Sequence, residues 1–217
     1  MSQIRQNRYA AYQVRQDLKP KGLVGLSGKL IDEHWKLYEG YVTNVNLLNK
    51  LIWDVAEAKE ELNNAAHSEI QRRLGFEYNG MVLHEYYFGA MRKGVELSPS
   101  SPLVSKLKED FGGVDRWKKQ FMEIGKFRGV GWVVLSYDPL AGRLQNFWIT
   151  DHESGNVAGF IPVLVMDVWE HAYVLDYGSS SAAGAGRAAY LEAYFKNIDW
   201  DVVSVRLGTA LTQNTTR

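Results

Sequence analysis

Five histidines (His34, His67, His84, His152 and His171) and the absence of cysteine set the chemistry open to this 217-residue chain. Without thiols there is no disulfide framework, thiolate zinc site, iron–sulfur cluster or cysteine nucleophile, so any metal must sit on imidazole and carboxylate. Asp167 and His171 stand four residues apart in MDVWEHAY, at a strand-to-helix junction, a spacing that lets both side chains project to one point. His34 and His84 fall on the apolar sides of separate helical segments, where a neutral imidazole without a partner is costly to bury. Taken singly, each histidine is more often a hydrogen-bonded structural residue. Together, three His and one Asp form a mixed nitrogen and oxygen set suited to iron or manganese and tolerable to zinc. Two other metal chemistries fail on spacing. HEYYF at His84 and HESGN at His152 lack the second histidine of a HExxH zinc hydrolase. The residues three before each histidine are Ile31, Asn64, Met81, Ile149 and Val168, so no Glu-x-x-His pair exists for a di-iron site.

The elements that must position these residues follow from periodicity. Leu30, Ile31, His34, Leu37, Tyr38, Tyr41, Val42, Val45, Leu48 and Ile52 recur at helical steps within Leu26 to about Asn64, with Ser27 as N-cap. A second helical region starts at Ala65, with a break expected near Gly75, and resumes from Tyr78 to Met91. ELSPSSP (Glu96 to Pro102) reads as a linker. Amphipathic helices are expected over Pro102 to Phe111 and Val114 to Phe127. Val130 to Tyr137 and Arg143 to Thr150 form a β-hairpin around DPLAG, and Phe160 to Met166 forms another strand, with Pro162 marking an edge or a strand start. Helices from Trp169 to Tyr177 and Arg187 to Asn197 close the chain, separated by Gly178 to Gly186 (GSSSAAGAG), which reads as a mobile loop. The expected class is α+β: an N-terminal long α-hairpin domain (residues 1–95), then an α/β domain (96–217) with a three-stranded antiparallel sheet, and a metal site at their interface.

Composition narrows the partners. Lys+Arg 25 balances Asp+Glu 25, and there is no run of like charge, which disfavours nucleic acid as main partner. No stretch is apolar enough to span a bilayer. MSQIRQNRYAAYQVRQ lacks an apolar core before a small-residue cleavage site, so it reads as a short arm and the protein as cytoplasmic.

DVWEHAY (Asp167 to Tyr173) resembles the C-terminal signature of the iron/manganese superoxide dismutases, whose Asp and final His are metal ligands. LSGKLIDEHWKLYEGYVTNVN is similar to the family's first helix, which puts His34 on the first ligand and Tyr41 on the active-site tyrosine. YNGMVLHEYYF is similar to the second, with His84 as second ligand, and GVGWVVL to the GxGW strand, with Trp132 as an active-site wall. The resemblance implies one Fe or Mn per chain on His34, His84, Asp167 and His171, and dismutation of superoxide to dioxygen and hydrogen peroxide. It also places Trp169 in the catalytic surroundings. Glu170 matches the residue that reaches across a two-fold axis to the partner's His171, which implies a homodimer and leaves open whether dimers pair further. A family side chain beside the metal-bound solvent comes from the second helix, where this chain has Gly80, or from the sheet, where the position falls on His152. Arg187, with Tyr190 after it, matches an arginine near the substrate funnel. His67 has no counterpart and reads as a solvated helix residue.

Several positions depart from the family pattern. The stretch from His34 to Tyr41 is one residue short, and the usual histidine there is replaced near Leu37 or Tyr38. Val174 stands for the tyrosine that normally follows the signature, and Val134 for a second tryptophan. The Gly178 to Gly186 connection is lengthened. None of these positions is a ligand, so they bear on turnover and proton delivery. A non-enzymatic metal-binding descendant of the same fold is the rival expectation.

Overall fold

The computed structural model describes residues 11–57, 62–178 and 185–213 of the chain. Two long helices form its first part, α1 (Gly28–Glu57) and α2 (Ala65–Gly89), packed lengthwise against each other. Ser27 caps α1 as its type predicts, its hydroxyl accepting the Leu30 N–H at 3.0 Å. At the start of α2 the Asn64 side chain accepts the His67 N–H at 2.8 Å. The break expected near Gly75 does not occur, because α2 runs through it. A Cβ there would meet nothing within 4 Å, so this glycine faces open space and weakens the helix only by its intrinsic penalty of about 1 kcal/mol.

Two shorter helices follow, α3 (Pro102–Phe111) and α4 (Val114–Gly125). Ser101 caps α3 ahead of Pro102, and Gly112 ends it at φ 80, the asymmetric start and stop that favour Pro first and Gly last. The sheet consists of β1 (Trp132–Asp138), β2 (Arg143–Ile149) and β3 (Ile161–Asp167) in the antiparallel order β2-β1-β3. The central strand β1 is buried along its whole length. Pro162 lies on the edge strand β3, beside the register shift between Leu135 and Ser136, where a missing N–H is tolerated. Pairing sets Trp132 opposite both Ile149 and Asp167.

The close of the chain differs from expectation. Trp169 to Tyr177 is not one helix but a 3-10 turn, Glu170–Ala172, and a single turn, α5 (Val174–Tyr177), separated by Tyr173 at φ −148. Helix α6 covers Ala185–Phe195, and a further helix, α7 (Trp200–Thr212), was not expected. Asp199 caps α7 by accepting the Val202 N–H, and Val203, Leu207 and Ala210 bury its inner face. Most of the Gly178 to Gly186 segment lies outside the described residues. Tyr87, Trp132, Tyr190 and Tyr194, all at 0% exposure, join the helices to the sheet.

Candidate metal centre

Four elements each deliver one polar side chain to the seam between helices and sheet. His34 comes from α1, His84 from α2, Asp167 from the end of β3 and His171 from the 3-10 turn. One ligand atom from each lies within 4.8 Å of the other three, a group able to hold a metal ion. Around Asp167 Oδ2 the imidazole Nε2 atoms stand at 3.0 Å (His34), 3.2 Å (His171) and 3.9 Å (His84). Asp167 Oδ1 accepts the Trp169 N–H at 2.7 Å, which leaves Oδ2 to face the histidines.

Local structure fixes which nitrogen His84 offers. The Gly80 carbonyl, one turn before His84, can only accept, so at 2.6 Å it takes the His84 Nδ1–H and leaves Nε2 as a bare lone pair. That Nε2 is buried without a hydrogen-bond partner, and His34 Nε2 faces only the Asp167 carboxylate. A buried nitrogen left in this way is unfavourable by about 1–3 kcal/mol, and a cation at the centre of the cluster would remove the penalty at His84 Nε2. Three neutral imidazoles and one carboxylate are the donor set that iron and manganese accept. Burial holds His34 below its ordinary pKa, and burial together with neighbouring His34 holds His84 well below it. Burial alone would raise the Asp167 carboxyl, but His171 and His34 beside it hold it well below the usual carboxylate range.

Next to the cluster, His152 and Tyr41 share a hydrogen bond of 2.7 Å, while His152 Nδ1 accepts the Trp132 indole N–H at 2.9 Å. An indole only donates, so Nδ1 carries no proton and the Nε2–H of His152 points to the Tyr41 oxygen. Burial lowers His152 to about 4. Burial, with the negative charges of Asp167 and Glu77, pushes Tyr41 up to about 12. Gly80 makes room for that phenol: a Cβ on it would come within 2.6 Å of the Tyr41 ring. Trp169 stacks on His171 at 5.8 Å and 15°, and Phe76 meets His152 edge-on at 4.5 Å.

The structure therefore brings together His34, His84, Asp167 and His171 and sets Tyr41, Trp132, His152 and Trp169 around them. Exposed Glu170 lies on the outer side, in a groove of about 440 Å³ that also takes in Leu37, His171, Val174 and Leu175. His67 is remote from the cluster, near Gln71. Tyr38 is fully buried; its oxygen donates to Glu85 at 2.8 Å and accepts the Arg15 N–H at 3.0 Å. Val134 is a core residue of β1 opposite Phe147 and Val165. Arg187 donates to the Gly129 carbonyl at 2.6 Å and keeps its Nε and one Nη buried without a partner. Glu77 escaped the sequence reading. It is a buried carboxylate that accepts from Asn44 of α1 at 3.1 Å and from Arg73 at 2.7 Å. A glutamate on an exposed-looking helical pattern gives no sign of this.

A helical pair, a three-stranded sheet and a largely buried three-histidine, one-aspartate cluster between them define a protein able to hold a single metal ion. Comparison with known proteins gives the family. The model for "Iron/manganese superoxide dismutases, C-terminal domain" matches residues 99–206. The chain is 36% identical over 204 residues to "Superoxide dismutase [Fe]" of Aquifex aeolicus, covering 92% of each chain. It is 36% identical over 199 residues to the protein of the same description in Cupriavidus metallidurans, covering 89% of this chain and 94% of that one. To "Superoxide dismutase [Mn] 2" of Halobacterium salinarum it is 30% identical over 167 residues, 77% and 78% of the two chains. The chain belongs to the iron/manganese superoxide dismutase family.

Proposed function

We propose that this chain dismutates superoxide to dioxygen and hydrogen peroxide at one iron or manganese held by His34, His84, Asp167 and His171. The observation that carries the reading is the convergence of these four side chains, with unpartnered imidazole nitrogens, beside the Tyr41–His152 pair. Bound to these four side chains, iron or manganese would supply the one-electron redox couple that dismutation requires. Asp167 contributes the one anionic ligand, oriented by the Trp169 N–H, and the three imidazoles keep the site's charge low enough for both oxidation states. His152, fixed in one tautomer by Trp132, donates to Tyr41 and so leaves the phenol's own proton free to point into the site. Tyr41 and His152 tune the potential and hold a proton for peroxide, and Trp132 and Trp169 exclude water from the flank. Since the chain has zero net charge, attraction of an anion has to be local, and Arg187 is the cation suited to it. The similarity to proteins described as superoxide dismutases favours activity over a descendant that only binds metal.

The same reading divides the chain near residue 95 into a helical and an α/β domain. It also makes the protein a homodimer, formed over the groove that holds Glu170, Leu37 and Val174, and places it in the cytoplasm. No described helix is long and apolar enough to cross a membrane. The test is elemental analysis of the purified protein, followed by metal removal, reconstitution with iron and manganese separately, and a superoxide assay. About one ion per chain is expected, matching a single four-ligand set, with activity restored by at least one metal. Only zinc, or no metal, after expression in metal-replete medium overturns the proposal.

A further inference from the structure

We infer that Asn79 is a positioning residue for His152, pinning the turn that carries it to helix α2; this rests on the reading of the site given above. His152 sits just beyond β2 in a turn closed by the Thr150–Ser154 bridge, with N–H···O distances of 2.7 and 3.2 Å. The residue before it, Asp151, has φ 51 and is the one non-glycine residue with positive φ among the described residues. A left-handed backbone at such a residue is unfavourable by about 1–3 kcal/mol and persists only where the surroundings hold it. The hold is applied at the His152 carbonyl, which accepts two side-chain amides, Asn156 at 2.7 Å and Asn79 at 2.8 Å. Their roles differ. Asn156 lies four residues on in the same loop and serves only to close it. Asn79 is 73 residues away, on the helix that carries His84.

Among the described residues, the other polar ties from this turn to the helices are the Tyr41–His152 bond itself and an Arg72–Glu153 contact at 3.3 Å between exposed side chains, a kind of pair that contributes little. Asn79 also precedes Gly80, which admits the Tyr41 ring and whose carbonyl fixes His84. Two consecutive residues of α2 thus set three members of the site. Without the Asn79 amide the turn stays closed by Asn156, but its distance from α2 is no longer held, and His152 loses its register with Tyr41.

The test compares Asn79→Ala and the near-isosteric Asn79→Asp, which cannot donate when ionised, in the full-length metal-loaded protein and in a His152→Ala background. Metal content is expected to hold in both variants. Amide exchange of residues 150–156, followed by mass spectrometry, is expected to quicken about tenfold as local opening becomes easier. In the His152 background kcat is expected to fall about tenfold, whereas with His152→Ala the Asn79 change has less than about a twofold further effect, the non-additivity of residues acting through one another. Equal losses in both backgrounds, or exchange in the turn that does not change, would overturn the inference. If the parent protein removes no superoxide, the proposed function fails, while the exchange measurement still decides the role of Asn79. If Asn79→Ala does not fold, Asn79→Asp gives the same two readouts.

Discussion

Tyr41 and His152 meet oxygen to nitrogen at 2.7 Å across 111 residues of sequence, one from the first long helix and the other from the turn after the second strand. With Trp132 fixed on the far side of the imidazole, the three form a one-way chain of donors that ends on the phenol. Replacing His152 with Gln keeps a donor of different reach and leaves the four-ligand cluster intact. Metal content is therefore expected to stay unchanged and superoxide removal to change, and loss of metal in His152→Gln would contradict this arrangement.

The cluster itself separates two histidines sharply. His84→Ala is expected to abolish both metal binding and superoxide removal, because no other described group replaces its Nε2. His67→Ala is expected to leave both as they are, since its ring lies near Gln71 on the surface of α2. Comparable losses from the two changes, measured by metal analysis and activity, would mean the site has been placed wrongly.

Gly80→Ala puts a methyl group 2.6 Å from the Tyr41 ring. The phenol has to move, and overpacking of this kind typically destabilises by about 1–3 kcal/mol. Denaturant unfolding is expected to show that loss alongside reduced activity at unchanged metal content. A variant as active and stable as the parent would show that the ring has room that the structure denies it.

Arg73 neutralises the carboxylate of Glu77, whose side chain is only 2% exposed. Arg73→Ala leaves a buried charge with Asn44 as its one remaining partner among the described residues, and a loss of about 1–3 kcal/mol follows from that unmet demand. Adding Glu77→Gln removes the charge, so urea unfolding should show the double variant recovering much of the loss. Additive losses would indicate that the pair acts by packing.

Acid is expected to weaken the metal-free protein. His152 titrates near 4 in the folded state, and burial shifts His34 and His84 in the same direction, while an unfolded histidine titrates near about 6.5. Between those values the unfolded chain binds more protons than the folded one, so the stabilisation is complete above pH about 6.5 and is lost as pH falls toward 4. Chemical unfolding from neutral pH to about pH 4.5 reads this directly, and a flat profile would remove the neutral buried imidazoles from the account.

Local signals carried most of the fold. Ser27, Pro102 and Gly112 mark helix ends through their own hydrogen bonds or dihedral angles, and the hairpin and Pro162 sit where alternation and the missing N–H put them. Gly75 does not break α2 because its intrinsic penalty is small beside the packing of α1 against α2. Helix α7 does carry a local signal, Asp199 ahead of apolar residues at helical spacing. Trp169 to Tyr177 has helical composition, yet Asp167 Oδ1 takes the Trp169 N–H and Tyr173 leaves helical geometry. The four proposed ligands were legible because their types are rare and their motifs distinctive. The ties of Asn79, Glu77 and Tyr38 were not, since they join residues far apart in sequence, and only the folded chain makes them neighbours.

The acceptor that orients His84 is main chain, one turn back in its own helix. No exchange of a neighbouring side chain can delete that acceptor. The direction of this imidazole is thus out of reach of ordinary point substitution, unlike His152, whose proton placement depends on an indole that a single codon can replace. Divergence within this architecture is therefore freer to retune the surroundings of the ion than to reorient His84.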